Sequence, residues 1–119
     1  MKLLEYELEQ RGHGLLVTFP HLGLVPHACS TRQGGVSNGI YDSLNLGLMS
    51  GDELELVEKN RQIFSHMLGI PIVQNLNMTH GTEVVWVKSP AGMQRAHEGD
   101  ACISNHPDVS LSLTTADCV

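Results

Sequence analysis

Met78-Thr79-His80-Gly81-Thr82-Glu83-Val84-Val85-Trp86-Val87 is the stretch on which the reading of this chain turns. Ile72 to Met78 has strand character, and Glu83 to Val87 is a run of residues that suit a buried pleated surface. Between them His80-Gly81 breaks the pattern. A histidine at a strand end is a candidate ligand or catalyst, and the glycine beside it lets a ligand or another backbone come close. The natural partner lies at the far end. Val109-Ser110-Leu111-Ser112-Leu113 alternates strictly and leads into Thr114-Thr115-Ala116-Asp117-Cys118, so a cysteine also stands at the end of an expected strand.

Working outward, Leu15 to Phe19 reads as a short strand before Pro20. Val25 to Ser30 reads as a second, with Pro26 restricting it to a strand start or an edge. Tyr41 to Leu48 sets Leu44, Leu46 and Leu48 against small or polar residues, so it fits a half-buried strand or extended loop with Asn45 facing away from the leucines. A helix is expected from Asp52, as an N-cap with Glu55 three residues on, and its apolar face carries Leu56, Val57, Ile63, Phe64, Met67 and Leu68. Gly69 and Pro71 would end it. Ala101 to Ser104 is a further short strand, closed by the turn-forming Asn105-His106-Pro107-Asp108. The expected fold class is α/β (α+β): layered mixed sheets with flanking helices, about six or seven strands, in one domain over residues 1–119.

The 119 residues, 41% of them hydrophobic, are enough for one core and too few for two. Thirteen acidic against 7 basic residues give a formal charge of −6, and no Lys/Arg cluster interrupts it. That balance argues against nucleic acid and anionic membranes and for small-molecule or protein partners. The N-terminus carries acidic residues where a secretory signal needs an apolar run, and nothing approaches the ~20 apolar residues of a membrane span. A cytoplasmic location is expected. Cys29, Cys102 and Cys118 form an odd, sparse set without a Cys-x-x-Cys pair, which suggests reduced thiols rather than a disulfide framework or zinc ribbon.

Ser30-Thr31-Arg32-Gln33-Gly34-Gly35-Val36-Ser37-Asn38-Gly39 is a glycine-rich loop with a charge at its entrance. Arg32 and the amides of Gly34 and Gly35 are candidates for an anion contact, although no Gly-Lys-Ser/Thr is present and an ordinary surface loop fits equally. Asn45 is a candidate for orienting a polar ligand. His27 and Cys29, two apart on an expected strand, share a face and make the best rival metal pair.

These pieces occur in a telling order. Ser30-Thr31-Arg32-x-Gly34-Gly35-Val36-Ser37, Ser43-Leu44-Asn45-Leu46-Gly47, Gly51-Asp52, Asn60-Arg61, His80-Gly81, Gly99-Asp100-Ala101 and Thr115-Ala116-Asp117-Cys118 together resemble the bacterial laccase-domain, or multicopper polyphenol oxidase, family. That family is now regarded as zinc-dependent purine nucleoside phosphorylases with adenosine deaminase activity. The resemblance runs from about residue 15 to the end. It implies a layered α/β fold with mixed sheets and a His, Cys, His zinc site whose first two ligands fall on His80 and Cys118. The third, in a His-Ala-Gly-Trp-Arg-Gly-like motif, would lie beyond Val119, so the chain is expected to be the N-terminal part of a larger fold, incomplete at its C-terminus. Met78 stands where the family usually carries Gln.

Imidazole and thiolate ligands with an open fourth position suit Zn²⁺. Laccase copper centres use several His-x-His pairs, a property of that family, and no two histidines here are two apart. The implied reaction is phosphorolysis of adenosine, inosine or guanosine to base and ribose 1-phosphate, so the implied partners are purine nucleosides and phosphate. Water activated by the same zinc would serve deamination. Two rivals stand beside this reading: a Cys-His hydrolase with Cys118 as nucleophile and His80 as base, and a non-catalytic fragment or interaction module.

Overall fold

The computed structural model describes residues 5–70, 76–90 and 97–116. The chain condenses into two compact units. One takes the chain up to Leu46 together with Asp52–Gly69, and the other takes Gly47–Gly51 and the chain from Ile70 onward.

The first unit is a three-stranded antiparallel sheet and a helix. Strands β1 (Glu7–Arg11) and β2 (Gly14–Thr18) form a hairpin with Arg11 opposite Gly14 and Glu7 opposite Thr18, and β3 (Cys29–Ser30) pairs with the other side of β2. β2 is the central strand, and its Leu16 is fully buried. β1 carries no sequence signal because its residues are mostly polar and its one apolar side chain, Leu8, points to solvent. The strand expected over Val25 to Ser30 shrinks to its last two residues. Pro26 has no N–H to donate, and the Val25 N–H closes a turn on the Leu22 carbonyl instead (3.3 Å).

Helix α1 (Leu54–Leu68) buries Val57, Asn60 and Phe64, which recur three and four residues apart on one face. Gly69 ends it in the left-handed conformation (φ 67°), as expected, with its N–H on the carbonyls of His66 and Ser65. The start differs from expectation. Glu53 is the N-cap residue and makes no side-chain capping bond. Asp52 is drawn away from that role: its Oδ2 accepts from the Ser37 hydroxyl (2.6 Å) and the Asn45 amide (3.1 Å), and its Oδ1 from the Glu53 N–H (2.8 Å).

That exchange belongs to a buried polar network. Asn60 is wholly inaccessible, and its Oδ1 accepts from the Val36 N–H (2.8 Å) while its Nδ2 donates to Ser37 Oγ (2.8 Å) and the Asn45 carbonyl (2.9 Å). One side chain on α1 therefore stitches both arms of the 36–45 loop to the helix.

The second unit contains two parallel pairs: β4 (Leu76–Asn77) with β6 (His97–Glu98), and β5 (Val84–Trp86) with β7 (Ala101–Ile103). Leu76 and Val87 are buried. The buried surface expected for the 83–87 run is one-sided, because Val84 and Trp86 are 53% and 52% exposed. Residues 109–113 form no strand, and their leucines Leu111 and Leu113 face outward. The expected class, α/β (α+β), is what is found; the layered mixed sheets with flanking helices take the form, among the described residues, of small antiparallel and parallel sheets with one α-helix. No helix among the described residues is long and apolar enough to cross a membrane.

Replacing Asn60 by leucine, of similar size, leaves the Val36 N–H and the Asn45 carbonyl without their partner. Denaturant unfolding should show a loss of about 2–4 kcal/mol, since each buried unsatisfied group costs about 1–3 kcal/mol. A loss under about 0.5 kcal/mol would show that the network is replaceable.

Candidate functional site

The two parallel ladders are out of step with each other. Leu76 faces His97, an offset of 21, whereas Val84 faces Ala101, an offset of 17. Four extra residues must therefore leave the line of β4 and β5, and they do so as the turn that holds His80.

Asp100 fills the mouth of that turn. Its Oδ1 accepts from the backbone N–H groups of Thr79 (3.1 Å) and His80 (2.7 Å), and its Oδ2 from the Gly81 N–H (2.9 Å) and the Thr79 hydroxyl (3.0 Å). Desolvation pushes the Asp100 carboxyl upward, but these bonds, led by that from Gly81, outweigh it and hold the group below the usual carboxylate range. His80 sits in the left-handed region at φ 57°, alone among the described residues other than glycine. Such a backbone costs an L-residue about 1–2 kcal/mol. Its exposed imidazole makes no hydrogen bond among the described residues. The donor chemistry fits a zinc ligand, since neither ring nitrogen is engaged.

The expected partner Cys118, with Asp117, lies outside the described residues. Among those described, no three His, Cys, Asp or Glu side chains gather as a metal-binding group. The rival pair, His27 and Cys29, lacks a free imidazole nitrogen. The Phe19 N–H donates to His27 Nε2 (2.8 Å), and His27 Nδ1 lies 2.7 Å from the Val25 carbonyl. An N–H needs a lone pair and a carbonyl needs a proton, so His27 is held as the Nδ1–H tautomer with both nitrogens committed. Burial pushes the Cys102 thiol up, away from the thiolate that metal binding or attack requires.

The glycine-rich loop is closed on itself. The Ser43 and Leu44 N–H groups donate to the Arg32 carbonyl, Arg32 Nε donates to the Asp42 carbonyl (2.8 Å), and its Nη2 lies 3.6 Å from Asp42 Oδ2. The Arg32 side chain stays 73% exposed. Gly34, at φ 100°, passes so close to Gly14 that an added Cβ would meet its Cα at 2.7 Å. The Gly35 N–H donates to Ser43 Oγ (3.1 Å), and the Asn45 amide donates to Asp52. Among the described candidates Arg32 thus presents an exposed charge, while the Gly35 N–H and the Asn45 amide donate to Ser43 and Asp52. A cleft of about 480 Å³ between the β1–β2 turn and α1, walled by His13, Lys59, Ile63, His66 and Met67, includes Gly34.

Sequence reasoning overlooked Asp100, Ser37 and Asn60 as organisers. An Asp between a glycine and a strand, and an amide on the apolar face of a helix beside Val57 and Phe64, were the available signals.

Residues 26–119 match the family model described as multi-copper polyphenol oxidoreductase laccase. A Deinococcus radiodurans protein named purine nucleoside phosphorylase is 41% identical over 105 residues, covering 87% of this chain and 39% of its own. An Escherichia coli protein named purine nucleoside phosphorylase YfiH is 41% identical over 95 residues, covering 77% of this chain and 38% of its own. The crystal structure of a Neisseria meningitidis protein of the DUF152 family superposes with a TM-score of 0.69 at 34% identity, covering 90% of this chain and 43% of that one. The chain thus spans well under half the length of these relatives.

The Ser37 hydroxyl is the largest cause holding the Asp52 carboxyl below its usual range; desolvation opposes it, and Asn45 and the Glu53 N–H add to it. A carboxyl lowered on folding binds fewer protons than in the unfolded chain, so its contribution is full above the unfolded value of about 3.9 and is lost as pH falls through the folded value. The melting temperature should therefore drop as pH falls from about 5 towards 3, and Asp52→Asn should flatten that slope. An unchanged slope in the variant would place the acid sensitivity elsewhere.

Proposed function

The chain belongs to the multi-copper polyphenol oxidoreductase laccase family, and from that premise we propose that it serves purine nucleoside phosphorolysis. The substrates are adenosine, inosine or guanosine with phosphate, the products are free base and ribose 1-phosphate, and a zinc-dependent adenosine deaminase activity accompanies it. Relatives named purine nucleoside phosphorylase at 35–41% identity support the reaction class. The observation that carries the site is His80. A non-glycine residue in the left-handed region, with an unbonded and exposed imidazole, is poorly accounted for by packing.

In this reading His80 and Cys118 hold the zinc, with a third ligand expected beyond Val119. When bound, zinc supplies Lewis acidity and activates water. The chain's own part in phosphorolysis is to hold the imidazole at a fixed direction and to offer a cation to phosphate. Arg32 is the group proposed for that second task, because its guanidinium is exposed and retains donors beyond those given to Asp42. Gly34 and Gly35 shape the loop that presents it. Asn45 contributes by fixing the same loop through Asp52 and Asn60.

The test is a chimera in which this chain replaces the matching 105-residue segment of the Deinococcus radiodurans protein. The chimera should release hypoxanthine from inosine only when phosphate is present and should carry zinc. His80→Ala should lower the zinc content and bring the rate to background, whereas Arg32→Ala should raise the KM for phosphate by about tenfold or more, as expected for loss of a charged hydrogen bond worth ~1.5–3 kcal/mol. A folded chimera that carries zinc and has no phosphate-dependent activity would overturn the reaction, and full activity in His80→Ala would overturn the site.

A further inference from the structure

We propose that Asp100 is a positioning residue for His80: its carboxylate is the internal anion on which the Thr79-His80-Gly81 backbone is shaped, and it thereby aims the imidazole. The proposal rests on the reading of His80 as a metal ligand. It adds a residue that neither coordinates nor touches the imidazole.

Three consecutive N–H groups, those of Thr79, His80 and Gly81, converge on one carboxylate. Successive N–H groups in a turn of this kind form a concave anion site, and such a site left empty turns like partial charges towards one another. Here the anion is supplied from within the chain. Its position is not free, because Asp100 lies between β6 and β7, and its own N–H donates to the Glu83 carbonyl (2.9 Å). The preceding Gly99 N–H donates to the Asn77 carbonyl (3.2 Å). Asp100 thus grips the extruded segment at both ends, the carboxylate at 79–81 and the amide at Glu83.

The consequence for His80 is directional. Its imidazole has no hydrogen bond among the described residues to orient it, so the direction of the ring follows from the backbone conformation that carries it. That conformation is unfavourable for a histidine and is imposed by the four bonds to Asp100. Removing the carboxylate releases the turn towards ordinary backbone angles, and the imidazole then samples directions unsuited to a ligand. Partners that orient a ligand without binding the metal typically contribute 10–100-fold to metal affinity.

The experiment uses the chimera with the Deinococcus radiodurans protein, which supplies the rest of the fold, and reads the amide protons of Thr79, His80 and Gly81 by NMR, without metal and then on titration with zinc. In Asp100→Ala those three amide signals should move upfield, and the zinc affinity reported by the His80 ring signals should fall by about tenfold or more. Formate or acetate, small enough to occupy the vacated nest, should restore both, and chloride at equal ionic strength should not. Asp100→Asn keeps the shape but offers one acceptor atom, so it should fall between the two and provides the measurement if the alanine variant does not fold. Zinc affinity within about twofold of the parent in a folded Asp100 variant, or recovery that does not distinguish carboxylates from chloride, would overturn the proposal. His80→Ala separates the two ideas. If it leaves zinc binding unchanged the ligand reading fails, whereas loss of binding there with none in Asp100→Ala defeats the positioning role alone.

Discussion

A chain that leaves the strand ladder must still find partners for its N–H and C=O groups, and each unit of this protein meets that demand with one side chain. In the first unit Asn60 reaches from α1 to the Val36 N–H and the Asn45 carbonyl. In the second, Asp100 gathers the N–H groups of Thr79, His80 and Gly81. Each acts where a hydrogen-bonded ladder cannot, and each converts a segment without regular structure into one with a defined shape. Neither lies in the sequence next to what it holds. The loop and the turn therefore take their shapes only once the helix and the β6–β7 crossing are in place.

The two solutions leave their segments with different chemical capacities. Around Asn60 the polar groups of the loop satisfy one another: the Gly35 N–H is on Ser43, the Asn45 amide on Asp52, and the Ser37 hydroxyl on Asp52 as well. What the loop offers outward is the Arg32 guanidinium. Around Asp100 three successive N–H groups are satisfied, while the His80 imidazole makes no hydrogen bond among the described residues, so what the turn offers outward is that ring. N–H groups already held beneath an unbonded side chain suit a ligand-binding group, because the side chain can be engaged without disturbing its support.

Helix α1 was legible in the sequence because its apolar spacing is long, and its end was legible because Gly69 has a single job. Its start was not. Asp52 has the chemistry of an N-cap, but Ser37 and Asn45 compete for the same carboxylate, and that competition depends on contacts 15 and 7 residues away. β1 was invisible because an edge strand needs no apolar face. The strand expected over Val25 to Ser30 kept only its last two residues and the one expected from the alternation over 109–113 did not form, because tertiary partners decide such short runs. His80 was legible as a break between strands. Asp100 was legible only as part of a pattern, since nothing local shows that its carboxylate closes on residues about twenty positions earlier. Cys118 lies outside the described residues.

The position of His80 follows from a mismatch in strand register, which puts four more residues between β4 and β5 than between β6 and β7. Had β4–β6 and β5–β7 kept the same offset, residues 78–83 would have continued as strand, and His80 would have alternated into or out of a sheet with an ordinary backbone. The mismatch removes it from that alternation. It requires the shorter partner to cross in two residues, Gly99 and Asp100, and the first of these has no room for a side chain: a Cβ on Gly99 would stand 2.6 Å from Val85 Cγ2. The second residue of the crossing then faces the extruded turn, where a short acceptor can reach three N–H groups at once. Glycine followed by aspartate is thus what the crossing demands sterically and what the turn demands electrostatically, and the histidine gains its direction from both.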